Sequence, residues 1–248
     1  MAGMQDKVDL DFLEALATIQ DSAVQKRLLS TLIKQYVILE KRVDSLLKNT
    51  LPAVVADEIK YNGKFPPRPY DCTLLFSDIV GFTQMAEKIP GEELIGMLDH
   101  LFRRMAELTA QYGGTKVKTI GDAYMAVFGA PVELPEHALA AVRTGLAFSE
   151  MTASFGERRG QDIQVRIGIH TGRVMGGVVG RERMQFDVFG DTVNIASRFE
   201  SSGQPGKVNI SHDTYTLVAD RFLFEERGEI ALKHKGKMKA YFVVKEMP

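Results

Sequence analysis

Two aspartates lie where a chain could place carboxylates against a phosphate. The first closes an apolar run, Thr73-Leu-Leu-Phe-Ser-Asp-Ile-Val-Gly-Phe-Thr83. The run reads as a buried strand with Asp78 at its C-terminal end. Val80 to Thr83 read as a tight turn into a helix, which aims backbone N–H groups at an anion. A carboxylate beside such a cradle suits a metal-bound phosphate. The second aspartate, Asp122, sits at a hairpin tip in Lys118-Thr-Ile-Gly-Asp-Ala-Tyr-Met125. A third segment, Phe186-Asp-Val-Phe-Gly-Asp-Thr-Val-Asn-Ile-Ala-Ser-Arg198, sets Asn194 and Arg198 four apart on one helix face. Lys118 can only donate hydrogen bonds and Asp187 can only accept them. Each residue alone has a plainer reading. Asp78 would cap the next helix, Asp122 would be a turn acid, Lys118 and Asp187 would be solvated strand residues, and Arg198 would pair with Glu200.

Together, and in this order, the three segments resemble the catalytic domain of class III nucleotidyl cyclases, from about Tyr70 to Met247. The resemblance implies an α+β fold, a ferredoxin-like antiparallel sheet covered by helices. It implies that Asp78, Ile79 and Asp122 hold two divalent ions per active site, Mg²⁺ or Mn²⁺, which hard oxygen ligands favour. Val80, Gly81, Phe82 and Thr83 become the phosphate loop, Asn194 the ribose contact, and Arg198 the group that meets charge on the reacting phosphoryl. A family Lys-Gly-Lys segment before the last strand makes Lys235 a phosphate contact, with Lys237 as the alternative. Lys118 and Asp187 become the base-reading pair. Adenine offers an acceptor at N1 and a donor amino group at N6, which the pair matches, and guanine reverses both. Guanylyl cyclases of the family typically carry Glu and Cys, or another small residue, at these positions. The resemblance therefore implies an adenylyl cyclase that converts ATP to 3′,5′-cyclic AMP and pyrophosphate. Family sites lie at a dimer interface, one protomer giving the metal acids and the other the base, ribose and α-phosphate contacts. This chain carries both sets, so a homodimer with two composite sites is expected. The rivals are a guanylyl or dual-specificity cyclase, and a catalytically silent nucleotide-binding dimerisation module. The Gly-Gly-Asp/Glu-Glu-Phe signature of a diguanylate cyclase is absent from the sequence.

The elements that must position these residues follow from pattern, and their order of βα, hairpin, α and β itself suggests a ferredoxin-like antiparallel sheet covered by helices. Strands are predicted over 71–78, 115–119, 123–128, 163–169 and 174–179, the last two joined through Thr171-Gly172, with a final strand near 241–245. Helices are predicted over 82–88, 90–112 and 135–155, and from an Asp191 cap to about Ser201. Residues 9–60 differ: glycine is absent and Pro52 is the only proline. Leu29, Tyr36 and Val43 interleave with Leu32, Leu39 and Leu46 at steps of three and four, about three heptads of a coiled coil. The same stripe would also suit one amphipathic helix packed on its own domain. A separate short helix is expected over 9–20 and another over 52–61, after a break at Leu51-Pro52. The domain reading is a helical, dimerising segment over 1–62 and a catalytic domain over 63–248.

Composition bounds the rest. A net charge of −1 over 248 residues gives no electrostatic footprint for nucleic acid. The single cysteine, Cys72, excludes an intrachain disulfide. No apolar run approaches the ~20 residues of a membrane helix, and no signal-like core opens the chain. The expected location is the cytoplasm, as a free protein or as the soluble part of a longer one attached to a membrane.

Overall fold

The computed structural model describes residues 18–19, 21–180, 182–232 and 236–248. They fall into two compact units, 1–56 and 57–248. In the first, helix α1 runs Ser22–Thr50, opened by Asp21, whose carboxylate accepts the N–H groups of Ala23 and Val24 at 2.8 and 3.3 Å. It contains no buried residue, and Leu29, Tyr36, Leu39, Val43 and Leu46 are exposed. Leu51 is extended (φ −126°, ψ 150°), as the residue before a proline must be, and ends the helix. Helix α2 follows at Ala53–Asn62. The helix expected over 9–20 lies outside the described residues, apart from Thr18 and Ile19.

The second unit is built on a sheet. Strand β1 (Arg68–Ile79) is followed by helices α3 (Phe82–Ala86) and α4 (Gly91–Gln111). The hairpin β2 (Thr115–Ile120) and β3 (Ala123–Phe128), helix α5 (His137–Arg159) and strand β4 (Val165–Val179) come next. Order in the sheet is β2-β3-β1-β4, all antiparallel, the ferredoxin-like arrangement expected. Strand β5 (Gln185–Phe189) folds back on the C-terminal half of β4 and leads into helix α6 (Asp191–Ser201). Strand β6 (Val208–Ser211) pairs parallel with β4, then come helix α7 (His212–Val218) and strands β7 (Phe222–Leu232) and β8 (Gly236–Glu246).

Two expectations need correction. The strands predicted over 163–169 and 174–179 are one 15-residue strand, β4. Gly172, taken as a turn, lies inside it opposite Cys72 of β1. A Cβ there would meet the Thr192 hydroxyl at 2.9 Å, so the glycine marks the close approach of α6 and not a break. Asp191 does not cap α6 but is its first residue, and Gly190 takes the cap position without a side-chain bond.

Strand alternation sends neighbouring residues to opposite faces. Leu75, Ile79, Ile167 and Ile169 belong to the main core, which includes Met97, Leu101 and Met105 of α4 and Phe148 of α5. Gly168 faces the other way, where a Cβ would stand 1.9 Å from the Glu200 nitrogen of α6. Backbone cannot yield as a flexible side chain does, so Gly168→Ala is expected to destabilise the domain by about 1–3 kcal/mol or more. Urea denaturation would show it as a lowered midpoint, and an unchanged midpoint would show that α6 can lift off the sheet.

His170 lies buried on β4, its Nδ1 2.8 Å from Ser211 Oγ and its ring stacked with Phe199. Burial holds its pKa below the ordinary 6.5, against the pull of Asp213 and Asp191. The native imidazole stays neutral while the unfolded one protonates below about pH 6.5, so this stability is present above that value and lost as pH falls through it. His170→Gln is expected to lose less stability than the parent between about pH 7.5 and about pH 5.5. Parallel denaturation curves checked at both values would disprove this. His137, lowered similarly, and the raised carboxyls Asp78 and Glu200 are common to both proteins and cancel.

Candidate active site

Asp78, next to last in β1, lies opposite Ala123, and Asp122 immediately precedes Ala123, so the hairpin turn sets the two carboxylates side by side. Burial, then the neighbouring Asp122, pushes the Asp78 carboxyl above its ordinary range, with Arg166 pulling the other way. Arg166 is directly across from Asp78 in the β1–β4 pairing. Its Nη2 donates to Asp78 Oδ2 at 2.6 Å and its Nε to Glu200 Oε1 at 3.1 Å. Glu200, 8% exposed on α6, has its carboxyl raised, chiefly by burial. Sequence reasoning missed Arg166 and named Glu200 only as a partner for Arg198. The available signal was a charge inside an apolar strand, Val165-Arg-Ile-Gly-Ile169.

The loop after Asp78 turns through Gly81 in the left-handed region (φ 69°) into α3. The Val80 N–H already donates to the Gln164 carbonyl at 2.9 Å. Phe82 and Thr83 open α3, where first-turn N–H groups have no intrahelical acceptor.

Lys118 of β2 and Asp187 of β5 meet, Nζ to Oδ2, at 2.5 Å. The strands carrying them are far apart in sheet order, so the β4–β5 hairpin must bend across to bring them together. Met175, Val179 and Phe189 lie on the Asp187 face of that hairpin, by the pairings Met175–Phe189 and Val179–Gln185. These three, and Ile120 two residues beyond Lys118, are exposed. An ion pair ringed by exposed apolar side chains is a patch that a partner surface would cover.

On α6, Asn194 is exposed and Arg198 half-buried. Arg198 has no ion pair among the described residues, and Glu200 is taken by Arg166. Lys235 lies outside the described residues. Lys237 is exposed, 3.5 Å from Glu229 Oε2. No hydrogen bond or ion pair among the described residues links the Asp78–Arg166–Glu200 group to the Lys118–Asp187 pair. The fold thus presents the site in separate pieces.

The acid pair fits a divalent cation. Two adjacent carboxylates cannot both ionise cheaply without a positive charge between them, and Asp78 is raised first by burial and then by Asp122, costs that a bound cation would offset. Among the described residues no group of three or more His, Cys, Asp or Glu could hold a metal. The chain would supply two carboxylates and the Ile79 carbonyl, leaving the other positions to phosphate and water. None of the described helices is long and apolar enough to cross a membrane.

Residues 66–245 match the adenylate and guanylate cyclase catalytic domain family, and the chain belongs to it. Its catalytic domain is thus of the class III nucleotidyl cyclase kind. An adenylate cyclase of Mycobacterium tuberculosis is 37% identical over 205 residues, 82% of this chain and 46% of that protein. The rat guanylate cyclase soluble subunit beta-2 is 38% identical over 227 residues, 90% of this chain and 33% of that one. The chain therefore spans less than half the length of these relatives. Among solved structures, the guanylate cyclase domain of RhGC from Catenaria anguillulae, in complex with GTP, superimposes with a TM-score of 0.70 at 36% identity, covering 73% of this chain and all of that one.

Proposed function

We propose that the chain is an adenylyl cyclase converting ATP to 3′,5′-cyclic AMP and pyrophosphate. The ribose 3′-oxygen attacks the α-phosphorus, its proton departs, and the bond to pyrophosphate breaks. Bound Mg²⁺ or Mn²⁺, two per site, would acidify the attacking hydroxyl and neutralise charge on the phosphates. Asp78, Asp122 and the Ile79 carbonyl hold the ions. The amides of the loop around Gly81 and the side chain of Lys235 or Lys237 meet the phosphates. Asn194 orients the ribose, and Arg198 meets charge that develops at the α-phosphoryl group, where preorganised donors act most strongly. The observation that carries the choice of ATP is the Lys118–Asp187 pair, a donor and an acceptor held together at one point, as the adenine edge requires.

The working form is a homodimer with two composite sites. Its support is the exposed apolar ring around Lys118 and Asp187, the separation of the site into pieces, and the uncovered heptad stripe of α1. Guanylyl or dual-specificity activity is the second reading, favoured by relatives of both kinds at similar identity.

The test is product formation by the purified chain, given ATP or GTP separately with Mn²⁺ and then Mg²⁺. Cyclic AMP with little cyclic GMP bears the reading out. Mainly cyclic GMP overturns the base assignment, and no product from a dimeric preparation points to a silent module or a missing activator. A monomeric mass across active concentrations would sink the composite site.

A further inference from the structure

The geometry points to Asn209 as a positioning residue that sets Arg198 by holding the main chain of α6. Asn209 lies on β6 directly opposite Gly168 of β4, and its side chain is fully buried. The two positions act on one spot. Gly168 leaves room for the Phe199–Glu200 backbone to lie on the sheet, and Asn209 Nδ2 donates to the Phe199 carbonyl at 2.6 Å. That carbonyl belongs to the last turn of α6, where intrahelical donors run out. Three residues further along, Arg227 Nη2 donates to the Ser202 carbonyl at 3.0 Å, its guanidinium over the ring of Phe242, which pairs opposite Asn209.

Arg198 immediately precedes Phe199, so fixing the Phe199 carbonyl fixes the height and rotation at which the Arg198 side chain leaves the helix. Asn209 is poorly explained as a stability device. Its Oδ1 is buried without a partner, so only one end of the amide is satisfied and the other is a liability. An aliphatic side chain would fill the space without that penalty but would leave the Phe199 carbonyl without the donor. The Ser202 hydroxyl also reaches that carbonyl, but at 3.4 Å, so the short bond that holds it is the amide's.

This inference rests on the composite-site reading for its sharpest test. In that reading a protomer's α6 serves one site and its Asp78 the other. Asn209→Ala is expected to remain a folded dimer, with kcat for cyclic nucleotide formation lowered about 10–100-fold and KM changed less than about 3-fold. Doubly tagged heterodimers then sort the defect. Paired with Asp78→Ala, the Asn209→Ala protomer contributes an intact acid set to an intact α6, and one site recovers. Paired with Arg198→Ala, no site has both parts whole, and activity stays low. Recovery in both pairings, or in neither, overturns the assignment, provided that the control pair Asp78→Ala with Arg198→Ala recovers. If the control fails, the composite site falls instead, and Asn209 is judged by its homodimer alone. A loss confined to kcat then upholds its role, and unchanged kcat or a matching rise in KM overturns it. Should Asn209→Ala not fold, Asn209→Ser carries the same test, since its hydroxyl is too short to span to the Phe199 carbonyl.

Discussion

Asp78→Ala is expected to yield a folded protein with turnover reduced at least about 10³-fold, and Asp122→Ala to do the same. The fold should survive because Asp78 is not a net support. Burial and then the neighbouring carboxylate raise its pKa, so removing it relieves a desolvation cost and a repulsion. Arg166 keeps its bond to Glu200, which prevents an orphaned charge at the sheet. Denaturation midpoints should therefore stay close to the parent's. Loss of Mn²⁺ binding in the absence of nucleotide, read by titration calorimetry, should accompany the loss of turnover. Full activity in either variant would refute the metal assignment. Lost activity with unaltered cation affinity would move the carboxylates' role from holding metal to shaping the loop after Ile79.

The residues near one another in sequence were the legible part of this site. The Asp78 strand, the Gly121-Asp122 turn and the Asn194/Arg198 face each depend on a local pattern, a period of two or of 3.6 or a turn glycine, and each element is present. The ferredoxin-like order of β1 to β4 followed from the succession of elements. What pairing alone decides was not legible. Arg166 becomes a partner of Asp78 only because β1 and β4 lie in that register over the full length of β1. Gly172 carries the sign of a turn and serves as a contact, and sequence cannot separate the two uses of a missing Cβ. The parallel pairing of β6 with β4, which brings Asn209 opposite Gly168, has no local signature at all.

The double variant Lys118→Glu with Asp187→Cys is expected to move the kcat/KM ratio towards GTP by about 10²-fold or more, against a ceiling of ~10⁴–10⁵ for a site that hydrogen-bonds its substrate edge. Glutamate can accept from the N1–H of guanine, and cysteine leaves its O6 without a facing carboxylate. The ion pair makes the two changes dependent on each other. Lys118→Glu alone sets a second carboxylate against Asp187, which now accepts the Lys118 ammonium at 2.5 Å, and like charges there should weaken use of both nucleotides. Asp187→Cys alone strips Lys118 of its counter-ion and leaves a cation against the base. Each single variant should thus be poorer with both substrates, and only the pair should recover activity, a non-additivity that a double-mutant cycle measures. Additive singles, or an unchanged preference for ATP in the double variant, would show that the base is read elsewhere.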